Sequence, residues 1–181
     1  MTIWMNADGL AVKFAGDAGD TNKGGTMLFD GNRHVCEFTI DYTDALSATY
    51  AILGSVAATE DGAFGVVIPK GARIEAVETL VVTAFTSSGT IGSATLGLGL
   101  KKSSDRSTEL DHDGFLTASY VGSKLDAAGE RNYQEVGTTG SGALIGTTIS
   151  ENGVICLANT AHATHPYTAG KLKVRVIYSF L

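Results

Sequence analysis

The chain has 181 residues, 44% of them hydrophobic and 18% charged, with 23 glycines, two prolines and a formal net charge of −6. That length suits one domain with a real core, and a low charge content with abundant glycine suits short strands, tight turns and partner-covered surfaces. The acidic balance argues against nucleic acid as a partner. No apolar run approaches the roughly 18 residues of a membrane-spanning helix, so no membrane partner is expected either.

Residues 1–33 stand apart. Trp4, Leu10, Val12 and Phe14 sit in a Gly/Asp-rich background without a sustained period, and Gly16, Gly19, Gly24, Gly25 and Gly31 interrupt it. Too few large side chains are present for a separate core, so the segment reads as an extended arm docking by Trp4, Leu10 and Phe14 onto its own domain or a neighbour's. It lacks the basic and apolar stretches of a secretory leader.

Residues 34–181 read as the folded domain. His34–Tyr42 alternates, with Cys36, Phe38 and Ile40 on the apolar side and Val35, Glu37, Thr39 and Asp41 opposite. Within the mixed stretch 45–58, Tyr50, Ile52 and Leu53 are core candidates. A short strand at Val66–Ile68 meets Pro69-Lys70-Gly71, which predicts a tight turn with Pro second and Gly fourth. Ala72–Lys101 then reads as a central hairpin. Its first run is apolar on both sides (Leu80, Val82 and Ala84; Val77, Val81 and Phe85), which predicts a strand covered on both faces. Its second run puts Ala94, Leu96, Leu98 and Leu100 on one face, and the loop at 86–92 would reverse the chain between the two.

Lys101–Glu109 reads as a charged connection. In Leu110–Leu125 the pairs Leu116–Tyr120 and Val121–Leu125 have helical spacing, weakened by Gly114 and Gly122. Asp126–Gly142 reads as a long polar loop. Asn152-Gly153, between Ala143–Ser150 and Val154–Ala158, predicts a two-residue hairpin turn. The chain closes on Leu172, Val174, Val176, Tyr178 and Phe180, an alternating strand stitched into a sheet. Lys171, Lys173 and Arg175 share its opposite face, as a solvated strand face or a charged edge. The two cysteines, Cys36 and Cys156, lie in strand-like apolar surroundings and read as buried free thiols of a protein made in a reducing compartment. The fold class is all-β, a jelly-roll-like β-sandwich with an N-terminal extended arm.

Chemistry-bearing residues are sparse. His162 and His165 with Asp111, His112 and Asp113 contain metal-ligand types, but nothing in the sequence makes their loops converge. Asp8, Asp17, Asp20 and Asn22 read as turn residues beside glycine rather than a calcium loop. Gly140-Ser141-Gly142 lacks the spacing of a nucleophile elbow, and nothing fixes the separation of Glu130 and Glu135. No enzyme, catalytic residue, metal or cofactor is expected. A glycan site would draw on Tyr120, Tyr133 and Tyr167 with Asp126, Asn132 and Gln134.

Two stretches resemble virion proteins of tailed bacteriophages. Ile3-Trp4-Met5-Asn6-Ala7-Asp8-Gly9-Leu10-Ala11-Val12-Lys13-Phe14 is similar to the opening of small structural proteins encoded near the major capsid gene. Val67-Ile68-Pro69-Lys70-Gly71-Ala72-Arg73-Ile74, continuing to Val81-Val82-Thr83-Ala84-Phe85 and Leu96-Gly97-Leu98-Gly99, resembles the core of phage β-sandwich capsid-associated proteins. The resemblance covers about half the chain; residues 102–142 match no family pattern. It implies a non-enzymatic decoration (cement) protein, often a homotrimer, on the capsid surface of the virion and assembled in the host bacterial cytoplasm. Its partners would be the major capsid protein and further copies of itself. The partner-binding arm would comprise Trp4, Asn6, Asp8, Gly9, Leu10, Val12 and Phe14. The alternative is a head or tail fibre contacting host glycan, or a neck protein joining head and tail.

Overall fold

The computed structural model describes residues 2–5, 11–14, 26–30, 32–45, 50–52, 67–105, 107–117, 124–161 and 163–180; for 2–5, 11–14, 26–30, 45 and 50–52 it describes the backbone alone. The strands are β1 (Thr2–Met5), β2 (Ala11–Phe14), β3 (Thr26–Asp30), β4 (Arg33–Asp41), β5 (Tyr50–Ile52), β6 (Val67–Ile68), β7 (Ala72–Ser87), β8 (Gly97–Lys102), β9 (Glu109–Leu116), β10 (Arg131–Glu135), β11 (Gly153–Ala158) and β12 (Tyr167–Phe180). Seven form one antiparallel sheet in the order β1-β2-β3-β4-β12-β7-β10; the other sheet runs β5-β11-β8-β9, with β6 also on β11. The fold is an all-β sandwich.

One apolar core lies between the sheets. From the first come Cys36, Phe38 and Ile40 on β4, Ile74, Val77, Val81 and Phe85 on β7, and Leu172, Val174, Val176 and Tyr178 on β12. They meet Leu96, Leu98, Leu100, Phe115, Leu116, Ile155 and Leu157 from the second sheet and its approaches. The alternations read in β4, β8 and β12 therefore face inward as expected. Both cysteines are free and buried.

The expected central hairpin is absent: β7 belongs to the first sheet and β8 to the second. The loop between them, with a 3-10 turn at Ile91–Ser93, carries the chain across the sandwich. Nor is β7 covered on both faces, since Val82 is 49% exposed. Leu80, Val82 and Ala84 lie on its outward, partly solvated face, and a bulge precedes them in the strand. Tyr178 pairs with Ile74 and Ile177 with Ala76, which leaves Glu75 as an extra residue and switches the inward set from Ala72 and Ile74 to Val77, Thr79 and Val81.

Four further local expectations change. The Ala72 N–H bonds the Pro69 carbonyl at 3.2 Å and Gly71 has φ +85°, so Pro69 opens the turn and Gly71 is its third residue. Glu109–Leu116 is a strand and not the start of a helix; Tyr120 and Val121 lie outside the described residues, as does Leu53. The stretch 126–142 contains β10, paired with β7 from Arg131↔Leu80 to Glu135↔Ala76. Asn152-Gly153 closes no hairpin: β11 pairs with β8, β5 and β6, while Asn152 Oδ1 accepts the Lys70 N–H at 2.8 Å.

Backbone pairing continues into the segment set apart as an arm. β1 pairs with β2, β2 touches β3 at Lys13↔Met27, and β3 pairs with β4 from Thr26↔Glu37 to Asp30↔Arg33.

Candidate functional site

Two places gather polar chemistry. The first is an arch in β9. Between the pairs Leu98–Leu116 and Leu100–Asp111, β9 inserts extra residues relative to β8. The arch folds over the outer face of β8, where Gly99 leaves room: a Cβ there would overlap the Asp111 carbonyl oxygen and lie 2.8 Å from the Gly114 nitrogen. Gly142 packs against the Gly114 backbone in the same glycine-only fashion. This covers the outward side of β11, where Cys156 Sγ lies 4.0 Å from the His112 carbonyl.

The arch carries Asp111, His112 and Asp113, whose ligand-type atoms lie within 4.8 Å of one another. His112 Nδ1 is 3.0 Å from Glu109 Oε2 and its Nε2 is 3.9 Å from Asp113 Oδ1. Burial, followed by the crowding of Asp113, pushes the Asp111 carboxyl above its ordinary range. Of the histidines considered with this group, His165 instead packs against Gly89, and His162 lies outside the described residues. His34 stacks on Tyr178, with ring centroids 5.3 Å apart.

The second place is the outward face of the seven-stranded sheet. Cross-strand register sets Tyr133, Glu78, Arg175 and Glu37 in one row and Arg131, Leu80, Lys173 and Thr39 in the next. Glu37 receives both Lys173 Nζ at 2.7 Å and Arg175 Nε at 2.6 Å, and Arg175 Nη1 lies 3.7 Å from Glu78. Lys171 lies 3.8 Å from Asp41. The expected basic stripe is thus a solvated face on a central strand, matched by acids on its neighbours. Burial alone would raise the Glu37 carboxyl, but hydrogen bonds and charge from Lys173 and Arg175 outweigh it and hold the group below the ordinary range.

A hollow of about 360 Å³ opens on this face, lined by Glu78, Thr79, Leu80, Arg131, Asn132, Tyr133, Lys173 and Arg175. A second, of about 550 Å³, adjoins β10 and shares Arg131, Asn132 and Tyr133. Of the aromatic candidates, Tyr133 is 46% exposed at the first hollow, whereas Tyr167 is buried against Phe85. Tyr120 lies outside the described residues. Gln134 is buried and accepts the Ser141 hydroxyl at 3.1 Å; Ser141 also donates to the Glu135 carbonyl at 2.7 Å, so this serine ties down a turn.

Of the proposed arm residues, Trp4 and Val12 are direct backbone partners across β1 and β2, and Phe14 pairs with Thr2. Asn6, Asp8, Gly9 and Leu10 lie outside the described residues. Arg131 and Leu80 were missed as neighbours of Tyr133. The signal was a polar alternation in Arg131-Asn132-Tyr133-Gln134-Glu135, which a search for apolar periodicity passes over.

No family model matches the chain, and no curated protein matches it. Among solved structures, the chain is similar to one in the acid-stable capsid of Helicobacter pylori bacteriophage KHP30, at 13% identity and TM-score 0.47, covering 84% of this chain and 90% of that one. It is also similar to one in the capsid asymmetric unit of cyanophage Pam1, at 18% identity and TM-score 0.47, covering 93% of this chain and 94% of that one.

Proposed function

We propose that the chain is a structural protein of a tailed-phage virion, a decoration protein that binds the assembled lattice of the major capsid protein and cements the head. The observation that supports this best is the placement of the phage-like opening, Ile3–Phe14. Its strands β1 and β2 are the outermost pair at one margin of the seven-stranded sheet. A sheet margin offers unpaired N–H and C=O groups, and adding a neighbour's strand there is an established way of joining chains. In this reading residues 1–33 are the assembly element and 34–181 the sandwich. Trp4, Asn6, Asp8, Gly9, Leu10, Val12 and Phe14 make the contacts, and copies associate as a homotrimer on the capsid surface.

The role needs no catalytic group or cofactor. Binding only the assembled shell favours that shell by mass action, and a stable attachment calls for an interface of about 1,200–2,000 Å². Removal of residues 1–14 tests the reading. The shortened protein should keep its sandwich, read by its melting transition, and lose trimer formation or capsid attachment. Undiminished attachment by the shortened protein contradicts it.

A further inference from the structure

We propose that the hollow over β7, β10 and β12 binds a saccharide that carries a carboxylate. This goes beyond the capsid-binding role and does not depend on it. The floor is Leu80, half-buried between charged neighbours, and Tyr133 presents an exposed ring at the side. An aromatic face beside a small apolar floor suits the C–H face of a sugar ring, and an exposed tyrosine serves this at little entropic cost because its side chain has few rotatable bonds. A volume of about 360 Å³ lies within the range of small-ligand sites, and the adjoining hollow of about 550 Å³ gives an oligosaccharide room to continue around β10.

Charge selects the acidic sugar. Three cations, Arg131, Lys173 and Arg175, line the hollow, while Glu37 and Glu78 are the carboxylates set against them. Lys173 and Arg175 both lean on Glu37, whereas Arg131 has no ion-pair partner among the described residues. A guanidinium free to receive a carboxylate is thus placed two residues from the exposed ring, in a chain whose net charge is −6. An extended acidic peptide fits less well. Its backbone ladder would be the outer edge of β10, the last strand of the sheet, away from the sheet face on which Leu80 and Tyr133 lie, since β7 is already paired on both sides.

The test measures binding of trigalacturonate, its methyl ester, hexaglutamate and inorganic phosphate by calorimetry and by amide chemical shifts. It uses the full chain and the surface variants Tyr133→Ala and Arg131→Gln. Trigalacturonate should bind and shift the amides of β10. Tyr133→Ala should weaken the acid and its ester alike, and Arg131→Gln should weaken the acid alone, by about tenfold. Melting curves matching the parent establish that both variants are folded. The proposal is overturned if trigalacturonate shifts nothing in β10 or if its binding survives both substitutions. It is equally overturned if hexaglutamate or phosphate binds there as well as the sugar acid, which would make the hollow a general anion patch.

Discussion

Gly99 on β8 lies directly beneath the Asp111 carbonyl of β9, so close that the smallest side chain would overlap the oxygen. The obstacle is backbone on a strand paired to a central neighbour, which cannot swing aside as a side-chain tip would. Gly99→Ala should therefore destabilise the protein by about 1–3 kcal/mol, the usual cost of overpacking. Gly92→Ala, with nothing within 4 Å of the new methyl group, is the control and should leave the urea midpoint nearly unchanged.

Leu98 is fully buried in the core between the sheets. Leu98→Ala should cost about 2–5 kcal/mol, and Leu98→Asp should abolish the cooperative melting transition, since an unpaired charge cannot be accommodated there. A parent-like melt for the aspartate variant would mean that the inward face of β8 has been assigned wrongly.

Glu37 joins β4 to Lys173 and Arg175 of β12, and its carboxyl titrates below the ordinary value of 4.5. A depressed folded-state pKa stabilises the protein above the unfolded value, and that contribution is lost as pH falls through the folded one. Parent protein should exceed Glu37→Gln in stability at pH 7 by no more than about 1 kcal/mol, because the cluster is solvated and screened. The difference should shrink steadily below pH 4.5. Paired urea titrations at neutral and acid pH read the trend, and a constant difference would contradict it.

Burial pushes both thiols, Cys36 and Cys156, up to about 12. Neither should react with a thiol reagent at pH 8 while the protein is folded, and both should react fully in urea. Rapid native labelling of either cysteine would contradict its placement.

How far the fold could be read depended on which signal a strand carried. The inward sets of β4, β8 and β12 were legible because Phe38, Leu98 and Val176 belong to strict apolar alternations. Strand β7 misled because Leu80, Val82 and Ala84 are apolar on its outward, partly solvated face, so a strand with one buried face resembled one covered on both. β10 was hidden by its polar residues, and with it the meeting of Arg131, Tyr133 and Leu80, which only cross-strand register brings together. Asn152-Gly153 looked like a turn, but the Asn152 side chain is engaged with Lys70 across the molecule. The β9 arch had no sequence signature beyond Gly99, Gly114 and Gly142, whose role as a stack depends on three separate segments.

The capsid-binding role is tested most directly by mass and shell stability. Light scattering should show the purified protein as a trimer, and mixing it with capsids assembled without it should coat them and raise the temperature at which they disrupt. A protein that leaves both the mass and the disruption temperature of those shells unchanged would contradict the cement role and turn attention to a fibre or neck position.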